Sequence, residues 1–149
     1  MKRNLLGGQK LSTKNIINRK ILAFSLESVK YKSIEEKQTK KEKSYKPVIK
    51  DNYQLVQVRD AEIEVEYTRE VYFKPKAIMN TTIIISFIMG LDKEDDEMIK
   101  EDDILKELND RKEDLLTAPA SIASMIISNL TSITLPFPLV SLPFYSDIE

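Results

Sequence analysis

Carboxylates and lysines are the side chains left to do acid–base or metal chemistry here, because the 149 residues include no histidine and no cysteine. Their absence removes the commonest general base, the commonest transition-metal ligand, thiolate metal sites, disulfides and cysteine nucleophiles. The densest carboxylates lie in "DKEDD" at 92–96 and in the acidic run to Asp114. A calcium loop needs oxygen ligands at alternating positions and a glycine for its sharp turn. This run has no glycine to make that turn, so it is expected to be solvated surface. The expectation is a protein that is not an enzyme and takes no metal and no cofactor. The other chemistry available is binding through apolar contact. Methionine and aromatic side chains adapt to varied partners, and Met79, Met89, Met125, Phe24, Phe87, Phe137 and Phe144 are the candidates.

The chain is long enough for one domain that buries roughly two thirds of its unfolded surface. Residues 1–13 read as a polar leader and 14–149 as a single domain. In "NIINRKILAFSLESVKY", Leu22, Phe24 and Leu26 alternate with Ala23, Ser25 and Glu27, which predicts a half-buried strand. Val29 and Tyr31 continue one residue out of phase, predicting a bulge. The lysine-rich stretch Lys32–Lys50 shows no period and is expected to be a solvated loop or crossover.

"AEIEVEYTREVYF" carries the strongest pattern. Ala61, Ile63, Val65, Tyr67, Val71 and Phe73 share a face interrupted only by Arg69, while Glu62, Glu64, Glu66 and Glu70 share the other. That predicts a long antiparallel strand with one solvated side. "YQLVQV" before it is an extension or a separate short strand. "KPK" at 74–76 breaks the pattern, and "IMNTTIIISFIMGL" predicts a strand that is apolar on both faces in its middle.

A solvated helix is expected across Asp92–Asp114 from the patchy stripe of Ile99, Ile104, Leu105, Leu108 and Leu115. A second helix is expected from Thr117, as cap, with Pro119 in the first turn, where its missing N–H costs nothing. Its apolar stripe is Ile122, Met125, Ile126 and Leu130, with small residues on the remaining surface. After it, "SITLPFPLVSLPF" (132–144) is uncharged, and its three prolines exclude helix and central strand. The order of strands, helices and apolar coil makes this an α+β chain with segregated elements.

Charge is polarised. Residues 1–50 hold fourteen Lys/Arg against four Asp/Glu, residues 51–100 six against eleven, and residues 101–149 three against nine. Such a basic third is one way to bind nucleic acid or a membrane surface. The lysine-rich stretch has no arginine, however, so opposite charges packed side by side are the preferred reading. "MKRNLLGGQK" lacks an apolar signal core, and "IIISFIMGL" is too short to span a bilayer. The expectation is a cytoplasmic protein with no membrane insertion and no nucleic-acid partner.

The helix "APASIASMIISNLTS" followed by "LPFPLVSLPF" resembles the SecB family of export chaperones and their SecB-like relatives. The strand at 15–29 stands where that family has its first strand, and the lysine-rich segment where it has its crossover. The motif match covers about 30 residues, Leu115 to Tyr145, and departs at Pro143-Phe144, where the family usually has Asn-Phe. The resemblance implies a SecB-like sheet followed by C-terminal helices and a homotetramer built as a dimer of dimers. It also implies an ATP-independent holdase for unfolded or preprotein clients, in export or for an antitoxin. Polypeptide contact then falls to Phe24, Leu26, Phe87, Met89, Met125, Phe137, Leu139 and Phe144. The acidic face of Glu62, Glu64, Glu66 and Glu70 becomes a dock for a basic partner such as a translocase motor. The alternative is a non-enzymatic adaptor, phage-encoded or regulatory, whose apolar tail binds one fixed protein.

Overall fold

The computed structural model describes residues 15–34, 46–74, 78–94, 98–135 and 138–145. The leader, the middle of the lysine-rich segment, Pro75-Lys76 and Phe137 lie outside the described residues. Four strands, β1 (Ile17–Ile34), β2 (Lys46–Arg59), β3 (Glu62–Lys74) and β4 (Ile78–Leu91), form one antiparallel sheet in the order β1-β4-β3-β2. Three helices follow, α1 (Glu101–Asp110), α2 (Lys112–Leu115) and α3 (Thr117–Thr134).

The two-residue period of β3 and β4 sets the core. Ile63, Val65, Tyr67, Val71, Met79, Ile83, Ile85, Phe87 and Met89 all point to the helix face and are buried. Each large apolar side chain so buried contributes about 1.5–3 kcal/mol. From the helices, Ile104, Leu108, Leu115, Leu116, Ala120, Ala123 and Ile127 close the same cluster. On the opposite face of β4, Ile84 and Ile88 are half-buried in rows with Thr68 and Glu64 of β3. The strand with two apolar faces is therefore the inner one, paired on both edges.

Two expectations about the strands need correction. The segment 32–50 is not all loop, since β1 runs on to Ile34 and β2 starts at Lys46, so "YQLVQV" is the second half of a fourteen-residue strand. The β2–β3 turn was hidden because it contains no glycine or proline. Asp60 supplies the left-handed residue instead (φ 46°), a conformation aspartate tolerates better than most. Leu22 does not share the face of Phe24 and Leu26. Register shifts near Ile21 turn it out of phase, and its side chain comes against Gly90. The bulge expected after Leu26 is present as a register shift between Leu26 and Ser28.

Thr117 does not cap α3. It is the first helical residue, and its hydroxyl donates to the Glu113 carbonyl at 2.6 Å, while the cap position is Leu116. Pro119 does fall in the first turn. In the acidic stretch α1 begins at Glu101, where three carboxylates in the first turn favour the positive end of the helix dipole. At the other end of the sheet problem, Glu107 fixes the start of β1: its carboxylate accepts the N–H groups of Ile16 (2.8 Å) and Ile17 (2.6 Å) and pairs with Arg111.

Candidate functional site

β1 is an edge strand, and its inward side chains outrun the helices meant to cover them. Phe24 and Leu26 lie opposite Phe87 and Ile85, on the core face of the sheet, yet are 54% and 46% exposed. Val29, opposite Ile83, is exposed as well. The C-terminal end of α3 reaches this strand: the Thr134 hydroxyl meets the Tyr31 hydroxyl of β1. Ile122, Ile126 and Leu130 precede Thr134 at four-residue intervals and so share its side of the helix. All three are only half-buried. The bare apolar residues of β1 and this half-buried side of α3 together form an apolar surface, the trough.

The face α3 turns to the sheet is not the bulky stripe read from the sequence. Ala120, Ala123, Ser124, Ile127 and Thr131 are its buried residues, and Met125 stands 60% exposed. Small residues let the helix approach the sheet closely. They also let hydroxyls hold the segment that follows. Ser124 donates to the Ser141 carbonyl (2.7 Å) and Ser121 to the Pro143 carbonyl (2.7 Å), while the Thr131 hydroxyl accepts the Leu139 N–H (2.6 Å). The closing strip, residues 138–145, therefore lies along the flank of α3 that faces away from β1.

Beneath the strip sits a polar cluster in the apolar face of β3. Arg69 and Asp51, opposite each other on β3 and β2, are both fully buried and form a two-pronged ion pair, Nε to Oδ1 and Nη2 to Oδ2, each 2.7 Å. The Tyr67 hydroxyl donates to the same Asp51 Oδ1 at 2.7 Å. The remaining guanidinium hydrogens reach the strip: Nη1 donates to Ser141 Oγ (3.2 Å) and to the Leu142 carbonyl, and Nη2 to the Phe144 carbonyl (2.7 Å). All five donors of the guanidinium are used. Burial works most strongly against the Arg69 charge, but the hydrogen bonds and charge interactions with Asp51 and Tyr67 together outweigh it and hold its pKa above the usual guanidinium value. Burial also pushes the Tyr67 hydroxyl well above the ordinary phenol range, despite the pull of Arg69 in the other direction. Tyr145 ends the strip inward, its ring edge-on to Tyr53 with centroids 6.0 Å apart.

The strip alternates as a result. Leu139, Ser141 and Tyr145 turn inward, whereas Val140, Leu142 and Phe144 face solvent, Val140 by 76% and Phe144 by 47%. Among the expected polypeptide contacts, Phe24 and Leu26 border the trough, Phe144 is on the strip, and Met125 is on the outer surface of α3. Leu139 is half-buried against the core. Phe87 and Met89 are completely buried: as the middle of an inner strand they pack the core and offer no surface. The glutamates share one face as expected, with Glu62 exposed and Glu64, Glu66 and Glu70 half-buried. Glu64 accepts a hydrogen bond from Ser86 at 2.8 Å. Arg69, Asp51 and the serines of α3 were missed as site residues. Among the described residues no cluster of carboxylates could hold a metal, and no helix is long and apolar enough to cross a membrane.

No family model matches the chain, and no curated protein does. Among solved structures, the chain is similar to the SecB-like chaperone Rv1957 of Mycobacterium tuberculosis, determined in complex with a ChAD peptide from the Rv1956 HigA1 antitoxin. The identity is 11%, with 83% of this chain and 88% of that one covered and a TM-score of 0.62. The fold is SecB-like. A protein of unknown function from Streptococcus agalactiae also aligns, with 14% identity, coverage of 82% and 94%, and a TM-score of 0.42.

Proposed function

We propose that this protein is an ATP-independent holdase that binds non-native polypeptide on its exposed apolar surfaces. The observation that carries the reading is the strip, an uncharged extended segment fixed by backbone hydrogen bonds with Val140, Leu142 and Phe144 turned to solvent. Apolar side chains kept outside a well-packed core mark a binding surface. Phe144 on the strip and Met125 on the adjoining outer surface of α3 are the polypeptide contacts. The client class favoured is an antitoxin segment, since the neighbour of like fold was solved with an antitoxin peptide. Preprotein clients for export are the other class.

The trough beside β1 is covered in a homotetramer assembled as a dimer of dimers. An eighteen-residue edge strand with bare apolar residues is open to pairing and burial by a second copy. The face bearing Glu62, Glu64, Glu66 and Glu70 suits a basic docking partner. Such a protein works in the cytoplasm and needs no cofactor.

The test is suppression of aggregation of a reduced or chemically unfolded client without ATP. A holdase slows aggregation of several unrelated clients at severalfold excess. Protein that slows none is no holdase, and protection of a single partner alone identifies a dedicated adaptor instead.

A further inference from the structure

Arg69 breaks the apolar face of β3, and its burial needs a reason beyond stability. Replacing a buried ion pair by apolar residues of similar volume is often neutral or stabilising, so Arg69 and Asp51 are not required simply to fill the core. What only an arginine supplies here is a rigid fork of donors that is anchored on one side and still free to bind on the other. Asp51 takes Nε and one Nη2 hydrogen, and the strip takes the rest.

The strip needs such donors. Its prolines deny it sheet pairing, yet its carbonyls lie over the buried face of β3, where unpaired acceptors are costly. Two sets of donors share them. The hydroxyls of Ser124 and Ser121 take the carbonyls of Ser141 and Pro143, and Arg69 takes those of Leu142 and Phe144. Every bond is to main chain except the one to Ser141 Oγ. The side chains of Val140, Leu142 and Phe144 are therefore released from any structural duty.

We propose that Arg69, held by Asp51 and Tyr67, is the positioning residue for client binding. It clasps the backbone of residues 141–144 so that Val140, Leu142 and Phe144 stand outward as a preformed apolar rail. This rests on the holdase reading above. Fixing the rail in advance removes the ordering cost that a loose segment would meet on each encounter with a client. Because the clasp grips main chain, the rail is rigid in path and unspecific in what it meets, which suits varied clients.

The experiment compares wild type, the triple variant Arg69→Met/Asp51→Leu/Tyr67→Phe, and Arg69→Lys. The triple variant removes all three polar groups together and leaves no lone buried charge. Arg69→Lys keeps a cation for Asp51 but lacks the fork that spans both carbonyls. Hydrogen exchange across 138–145 reads the clasp, and fluorescence anisotropy with labelled, reduced and carboxymethylated α-lactalbumin reads client affinity. Thermal unfolding gives the global stability of each variant. Both variants are expected to exchange faster in the strip and to bind the client about tenfold more weakly, a loss that thermal stability does not track. If the triple variant does not fold, Arg69→Lys carries the comparison alone. Faster strip exchange with unchanged client affinity overturns the positioning role while leaving the holdase reading in place, and so does unchanged strip exchange. Wild-type protein that binds no client at all overturns both.

Discussion

A single charged pair separates what this sheet could have been from what it is. Truncating Arg69 alone removes the counter-charge of the buried Asp51 carboxylate, and such a step costs about 3–5 kcal/mol. Arg69→Met is therefore expected to be severely destabilised in chemical denaturation, and the triple apolar variant to recover most of that loss. Comparable stability of the two would mean that Asp51 is not buried as a charge. Tyr67 gives a second residue-scale expectation. Its pKa is raised by burial, whereas in the unfolded chain a tyrosine ionises near pH 10. The stability this provides is complete below that value and falls as pH rises above it. Tyr67→Phe should flatten the alkaline decline in unfolding free energy, and an unchanged slope would contradict the burial of the hydroxyl. Neither residue was legible as a partner in sequence. Arg69 stood out only as an interruption, because its relation to Asp51 depends on a hairpin register centred on Asp60, a turn with no glycine or proline to announce it.

Elements were read best where the period was simple. β3 and β4 follow alternation that the sequence displays openly, since their inward residues are bulky and uninterrupted save at Arg69 and Thr81. α3 was placed correctly but turned the wrong way. Hydrophobic periodicity favours Ile122, Met125 and Ile126 as the buried stripe, while close approach to the sheet selects Ala120, Ala123 and Ser124. Small residues carry little hydropathy signal, and the serine hydroxyls find their acceptors in a segment seventeen to twenty-two residues further on. The orientation has a direct check. Ala123→Leu should overpack the helix–sheet contact and cost about 1–3 kcal/mol, whereas Met125→Ser, at an exposed position, should stay within about 0.5 kcal/mol of wild type. The reverse order of effects in thermal unfolding would rule out this face of α3. Glu107→Ala should leave the start of β1 without its carboxylate acceptor, seen as faster hydrogen exchange at Ile16 and Ile17 with the inner strands unchanged.

At the scale of the whole molecule, exposed apolar residues flank α3 in two regions, one on either side of the helix. One, along β1, belongs to an open sheet edge. The other, along the strip, is held in place from beneath by Arg69. The first suits a second copy of the chain and the second a client, so light scattering should give the mass of a tetramer, and Phe24→Ser/Leu26→Ser should lower it. A stable monomer would leave the trough bare and remove the assembly from the reading. The α+β order was legible from hydrophobic periodicity, and the apolar character of the closing segment from its composition and prolines. Which of its side chains face outward was not, because that depends on hydrogen bonds between its main chain and distant residues. The most direct test of the holdase itself is therefore binding of labelled, reduced and carboxymethylated α-lactalbumin, without nucleotide, to wild type and to Val140→Ser/Phe144→Ser. The expected result is binding by the wild type that weakens about tenfold in the variant at unchanged thermal stability. Absence of binding by the wild type, or equal binding by the two, would contradict it.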